Sequence, residues 1–274
     1  MSEVSLDPSE IKLDDENKYT VLEDISDNIV LPIGIEKNGV RYRNIVIDEL
    51  SGIDESLAAN KKKTGGNPAK ALTKVLARCI QEIEDLVPRK KNPDKLIDES
   101  ITRNMYQCDR DFVLSRIQIL SEQDDAVLRG KCPKCQTVVE QDVKISNRKI
   151  ISWPKDKPAQ IDFELKRGYF KDGVHHRKGT MRFTKGADQE HVAMLAMDDY
   201  AKALTAMFAA TIIKLGDMDG IDQDIASKLK SRDRRLLFNL VREQTPGILM
   251  WEFLQCYNCY YDEVEAVLSM SSFF

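Results

Sequence analysis

Two Cys-x-x-Cys pairs, Cys132-Pro133-Lys134-Cys135 and Cys256-Tyr257-Asn258-Cys259, stand at matching places in two similar halves of a 274-residue chain. A turn of this kind directs two thiolates toward one point and supplies half of a tetrahedral metal site; two such turns complete it. Residues 136–255 separate the pairs, far more than in an ordinary zinc ribbon. Internal repetition removes that difficulty, because equivalent turns of two similar units can meet at the axis that relates the units.

The repetition is visible in several places. Gly39-Val40-Arg41-Tyr42-Arg43, followed by Gly52-Ile53-Asp54, is matched 134 residues on by Gly173-Val174-His175-His176-Arg177 and Gly186-Ala187-Asp188. Lys70-Ala71-Leu72-Thr73 matches Lys202-Ala203-Leu204-Thr205 at 132, Arg110-Asp111 matches Arg232-Asp233 at 122, and the cysteines match at 124. Each half opens with a hairpin whose turn, Asn38-Gly39 or Asp172-Gly173, tolerates positive φ. A helix follows. Leu72, Val75, Leu76, Cys79, Ile80 and Ile83 share one face at helical spacing, as do Leu204, Met207, Phe208, Thr211, Ile212 and Leu215. A second helix is expected around residues 109–121 and 222–244, each leading to its cysteine pair. The expectation is an α+β protein of two pseudo-repeats, residues 29–150 and 151–274. Each is a small antiparallel β-sheet plus helices, and the two are joined by a shared four-cysteine, zinc-ribbon-like site.

Charge sets residues 1–28 apart. They hold nine acids and two lysines, against a net charge of −4 for the whole chain, so they read as an acidic, flexible leader. Its opening, Met1-Ser2-Glu3, lacks the basic-then-apolar pattern of a secretory signal, and no stretch is long and apolar enough to span a bilayer. Six cysteines in that setting point to metal rather than to disulfides. One structural zinc per chain is expected on Cys132, Cys135, Cys256 and Cys259, with iron as the other metal that four thiolates suit. Cys79 lies on an apolar helix face and reads as a small core residue; Cys108 has no spaced partner.

Enzymatic patterns are missing, and no catalytic residue is assigned. His175 and His176 are neighbours in an expected strand, so they face opposite ways; His191 opens a helix alone. Lys61-Lys62-Lys63-Thr64-Gly65-Gly66 has lysine before glycine, the reverse of a P-loop, and reads as a flexible loop. In Asp217–Asp224 the glycine comes too early for a calcium loop and Lys228 stands where the closing glutamate belongs, so Asp222 is better read as a helix cap. Basic clusters at residues 61–63, 89–91 and 232–235 lack interleaved aromatics, which leaves a zinc-ribbon nucleic-acid binder as an alternative only.

Asp109-Arg110-Asp111-Phe112-Val113-Leu114, then Ile119-Leu120-Ser121 and the first cysteine pair, resemble the baseplate protein family of contractile-tailed, T-even-like bacteriophages, which includes hub subunits and hub-assembly proteins. The Gly39 hairpin leading to Leu50-Ser51-Gly52-Ile53-Asp54-Glu55 is similar to the same family. So is the end of the chain, with Asp233 in a helix, Cys256 and Cys259, and Ser272-Phe273-Phe274. The resemblance covers residues 29–274 by pattern rather than by identity. Tyr260-Tyr261 after the second pair, where the family has glycine, and the acidic leader depart from it. It implies a non-enzymatic component of the tail baseplate, located in the virion, assembled in the host cytoplasm and partnered by other tail proteins. A tail-assembly chaperone absent from the finished virion is the alternative within that setting.

Overall fold

In the computed structural model, which describes residues 19–20 and 26–269, the chain is mixed α+β with antiparallel sheets. It begins with β1 (Tyr19–Thr20), β2 (Asn28–Lys37) and β3 (Val40–Ile47), continues through α1 (Gly52–Ala59), α2 (Lys61–Thr64) and α3 (Pro68–Cys79), and returns as β4 (Ile80–Ile83). Next come α4 (Glu99–Asn104), α5 (Gln107–Leu120), β5 (Asp125–Lys131), β6 (Val138–Lys144) and β7 (Ile150–Ile151). The second half runs β8 (Gln160–Lys171), β9 (Val174–Arg182), α6 (Gly186–Asp198), α7 (Tyr200–Thr211), β10 (Ile212–Leu215) and β11 (Met218–Asp219). It closes with α8 (Gln223–Lys228), α9 (Ser231–Gln244), β12 (Gly247–Ile248), β13 (Trp251–Leu254) and β14 (Val264–Ser269). Most of the expected acidic leader, and Phe273-Phe274, lie outside the described residues; Tyr19–Thr20 pair with β7.

Among the described residues four sheets form, in the orders β2-β3-β4, β11-β10-β9-β8, β13-β14-β5-β6 and β1-β7-β12. Both long hairpins turn where expected, with Asn38 and Gly39 at φ 53° and 77° and Asp172 and Gly173 at 51° and 81°. Alternating Ile161, Phe163 and Leu165 bury one face of β8. In β2 the register shift against β3 lets Ile33 leave the first core, which holds Ile29, Leu31 and Ile35, for the second.

The helix periods are shorter than the spacing implied. Helix α3 ends at Cys79, and Ile80 and Ile83 belong to β4; likewise α7 ends at Thr211 and Ile212–Leu215 form β10. Ile80, Ile83, Ile212 and Leu215 all remain buried, so the apolar stripe was real and only its conformation differs. Residues 222–244 are two helices, broken at Leu229–Lys230, whose ψ values of 131° and 148° are extended. Lys61–Thr64 is a single helical turn closed by Gly65 in the left-handed region, not a loop. His191 sits within α6 rather than at its start.

One local construction occurs in both halves. The buried Asp109 carboxylate accepts the backbone N–H groups of Ile33 (2.8 Å) and Gly34 (2.9 Å) at the bulge of β2. Asp233, also buried, accepts those of Lys166 (2.7 Å), Arg167 (3.0 Å) and Gly168 (2.9 Å) at the bulge of β8. Arg43 Nε donates to Leu31 O at 2.8 Å and Arg177 Nε to Leu165 O at 2.9 Å. Asp233 thus makes at β8 the contacts that Asp109 makes at β2, 124 residues apart like the cysteines, whereas the Arg-Asp spelling aligns it with Asp111.

The halves meet through unlike faces. Helix α6 lies on α3, α4 and α5. Gln107 N–H donates to Thr184 O (2.7 Å), Gly186 N–H to Met105 O (3.0 Å) and Asn67 Nδ2 to Glu190 O (2.7 Å). Tyr106 and Phe183 meet edge to face at 6.5 Å between ring centroids. A Cβ on Gly186 would fall 1.5 Å from Arg110 Nη1, so only glycine lets α6 approach this closely.

Candidate metal centre

Each cysteine pair sits at the tip of a hairpin and is wound by its own backbone. Gln136 N–H donates to Cys132 O (2.9 Å) and Cys132 N–H to Thr137 O (2.9 Å), closing the first turn. Tyr260 N–H to Cys256 O (2.9 Å) and Cys256 N–H to Tyr261 O (2.7 Å) close the second. Gln136 and Tyr260 take φ of 62° and 56°, the left-handed region where glycine is the usual occupant. The missing glycine noted in the second turn is therefore missing from both, and the conformation is kept regardless.

Strand pairing brings the two turns together. The β5–β6 hairpin carries Cys132 and Cys135 and the β13–β14 hairpin carries Cys256 and Cys259, while β14 pairs with β5 from Ala266–Gly130 to Ser269–Val127. At Gly130 a side chain would meet Glu265 O at 2.4 Å, so the close approach of these strands depends on glycine there. Leu128, Val139, Leu254, Val264, Ala266 and Leu268 form the small core beneath the cysteines. The expected axial relation is not what the sheet shows. A two-fold axis relating the two hairpins in chain order would exchange β5 with β13 and β6 with β14, yet β14 lies beside β5 while β6 and β13 are the opposite edges of the sheet.

All four Sγ atoms lie within 4.8 Å of one another, with Cys132–Cys259 at 3.6 Å and Cys135–Cys256 at 3.5 Å. A tetrahedron of sulfurs about 2.3 Å from a central ion has edges of about 3.8 Å, so the spacing fits a four-thiolate metal site. Cys132 and Cys256 are buried, Cys135 is half-buried and Cys259 is exposed, which places the centre at the rim of the sheet. The Thr137 hydroxyl, 3.2 Å from Cys135 Sγ, pulls that thiol down to about 5, helped by the Thr137 backbone and by Asn258. The Tyr261 amide pulls Cys259 the same way, but desolvation and the three surrounding sulfurs outweigh it and push that thiol up to about 12. Cys135 thus favours the thiolate, while Cys259 favours the thiol in the absence of a cation.

Thr137 and Asn258 were not singled out in the sequence. The signal for them was a hydroxyl shortly after the first pair and an amide inside the second. The remaining thiols stay apart: Cys79 is buried and pushed up to about 12 by desolvation, and Cys108 is buried and raised well above the thiol range. His175 is exposed while His176 is buried, so they do not converge. Asp222 caps α8 by accepting the Ile225 N–H at 2.8 Å. Among the described residues no helix is long and apolar enough to cross a membrane.

Fold and centre together define an α+β protein whose two halves are tied by a four-cysteine cluster able to bind a metal ion. Comparison of the chain with family models, with curated proteins and with solved structures finds no match.

Proposed function

We propose that this chain is a non-enzymatic structural or assembly component of the baseplate of a contractile phage tail. In this reading it is built from two copies of one α+β unit and stapled by a structural zinc on Cys132, Cys135, Cys256 and Cys259. The observation that carries the reading is the convergence of four thiols from turns that residues 136–255 separate in sequence. Four protein ligands leave no open coordination position for a substrate, so the ion's contribution is rigidity. The matched aspartate–bulge contacts support the duplication, and the resemblance of Asp109–Leu114, the cysteine pairs and the Gly39 hairpin to the baseplate family supports the setting.

A tail part must keep its contacts when the sheath contracts. Metal binding that couples to folding adds stiffness where the underlying core is small. The test has two readouts. Elemental analysis of the purified chain should find one zinc per chain, and mass spectrometry of purified tail particles should find the chain in them. Absence from finished particles but presence in assembly intermediates would move the role to that of an assembly chaperone. Absence from both would end the tail reading.

A further inference from the structure

The junction between the halves joins unlike faces, and among the described residues each half therefore keeps one face unused. The first half offers α3, α4 and α5, and the second covers them with α6 and the segment before it. If the halves are copies, the second half's own α7, α8 and α9 are the counterpart of the covered face. The first half's α1 and the segment before it are the counterpart of the covering one. Among the described residues neither counterpart is covered in the same way within a single chain. Gly186 is packed against Arg110, whereas its counterpart Gly52 has nothing within 4 Å of a built Cβ. Tyr106, Cys108 and Arg110 are buried, whereas Arg232 is exposed and Arg234 is half-buried. Arg234 nevertheless reaches Ala201 O (3.4 Å) as Arg110 reaches Ala69 O (2.8 Å), so the local geometry is ready on the open side.

The two open faces also differ in charge. Arg167, Lys228, Lys230 and Arg232 line an open basin of about 800 Å³ together with Tyr169 and Phe170. Asp27, Asp48 and Glu49 line a smaller one of about 260 Å³ beside Arg89 and Lys90. The correspondence is residue by residue. Met105, Tyr106 and Gln107 of the internal junction lead, 124 residues on, to Leu229, Lys230 and Ser231; Phe183, Thr184 and Gly186 lead, 134 residues back, to Glu49, Leu50 and Gly52. Where the internal junction sets Tyr106 against Phe183, the repeated one would set Lys230 against Glu49. An aromatic pair that never leaves the chain is thus replaced by opposite charges at faces that must meet in water.

We propose that copies of this chain associate head to tail, the Lys230 face of one seating on the Glu49 face of the next and repeating the internal junction. A heterologous contact of this kind closes into a ring when its rotation allows and otherwise runs on as a filament. The inference rests on reading the halves as copies. It is independent of whether the assembly belongs to a phage tail, which the particle analysis tests separately.

The experiment is the mass of the full chain in solution, by light scattering and sedimentation at low and high salt, for the wild type, Lys230→Glu, Glu49→Lys, the double variant, and an equimolar mixture of the two single variants. The expected result is a wild-type oligomer that weakens with salt, since exposed charges are screened. Each single variant should be monomeric with an unchanged melting profile, because one reversal sets like charges together. The double variant should recover the oligomer, and the mixture should assemble beyond a dimer, the two single variants alternating through one wild-type contact and one with both charges reversed. A wild type that stays monomeric at every concentration in low salt overturns the proposal. So does an oligomer indifferent to Glu49→Lys, which would mean that the basic face is filled by something else, such as the chain's own acidic residues 1–25. A folded double variant that fails to recover the oligomer overturns it as well.

Discussion

Asp109 shows how much a single buried carboxylate organises. It is fully buried, faces the amides of Ile33 and Gly34, and fixes the bulge that sends Ile33 into the second core. Burial raises its pKa to about 6 from 3.8, the two amides and Arg43 pulling back only in part. Between those values the folded chain holds a proton that the unfolded chain has released. This group's contribution to stability is therefore fully present below about 4 and lost as pH rises through about 6. In Asp109→Asn the dependence is gone, while Asp111, also pushed to about 6 by burial, titrates equally in both proteins. Urea unfolding should therefore show wild type gaining about 1 kcal/mol on Asp109→Asn when pH falls from about 7 to about 5. A gap that stays constant over that interval would mean that the carboxyl is already charged at the lower pH.

At the scale of elements, the same kind of aspartate does two different jobs in the second half. Asp222 caps α8 with one amide, an arrangement worth roughly 1 kcal/mol. Asp233 instead joins α9 to β8 by accepting three amides at a bulge where Gly168 has φ of 67° and a Cβ would meet His176 O at 2.5 Å. Asp233→Ala strands those donors and should cost roughly 2–4 kcal/mol, against about 1 for Asp222→Ala. Equal losses in chemical denaturation would show that the three contacts add nothing beyond a cap. The sequence made Asp222 readable because a cap is local, and the hairpins readable because Asn38-Gly39 and Asp172-Gly173 carry their own turn. It hid the role of Asp233, whose partners lie at Lys166–Gly168 and can be found only after the fold has formed. It also hid the change from α3 to β4, since Ile80 and Ile83 are three apart and suit a helix face as well as a buried strand. The cysteine cluster was legible because Cys-x-x-Cys states its own chemistry, whereas the order β13-β14-β5-β6 was not, because strand order follows from packing between halves.

For the whole molecule, the four-cysteine sheet is the place where the end of the chain is tied back to its middle. Among the described residues, eight buried ones, two of them cysteines, form its core, a small apolar volume for holding two hairpins. A metal ion there acts on both halves at once, because each contributes two of the four ligands. Losing one ligand from either half should therefore have the same consequence. Cys132→Ser and Cys256→Ser should each release the ion and lower the melting temperature to that of the chelator-treated wild type. Together they should lower it no further, since one shared site can be lost only once. Chelation should also stop affecting all three variants. Additive effects of the two substitutions would instead mean that each turn stabilises its own hairpin separately, and that the halves are held together by the contacts outside this sheet, among them α6 on α3–α5, Ile33 in the second core and the pairing of β7 with β12.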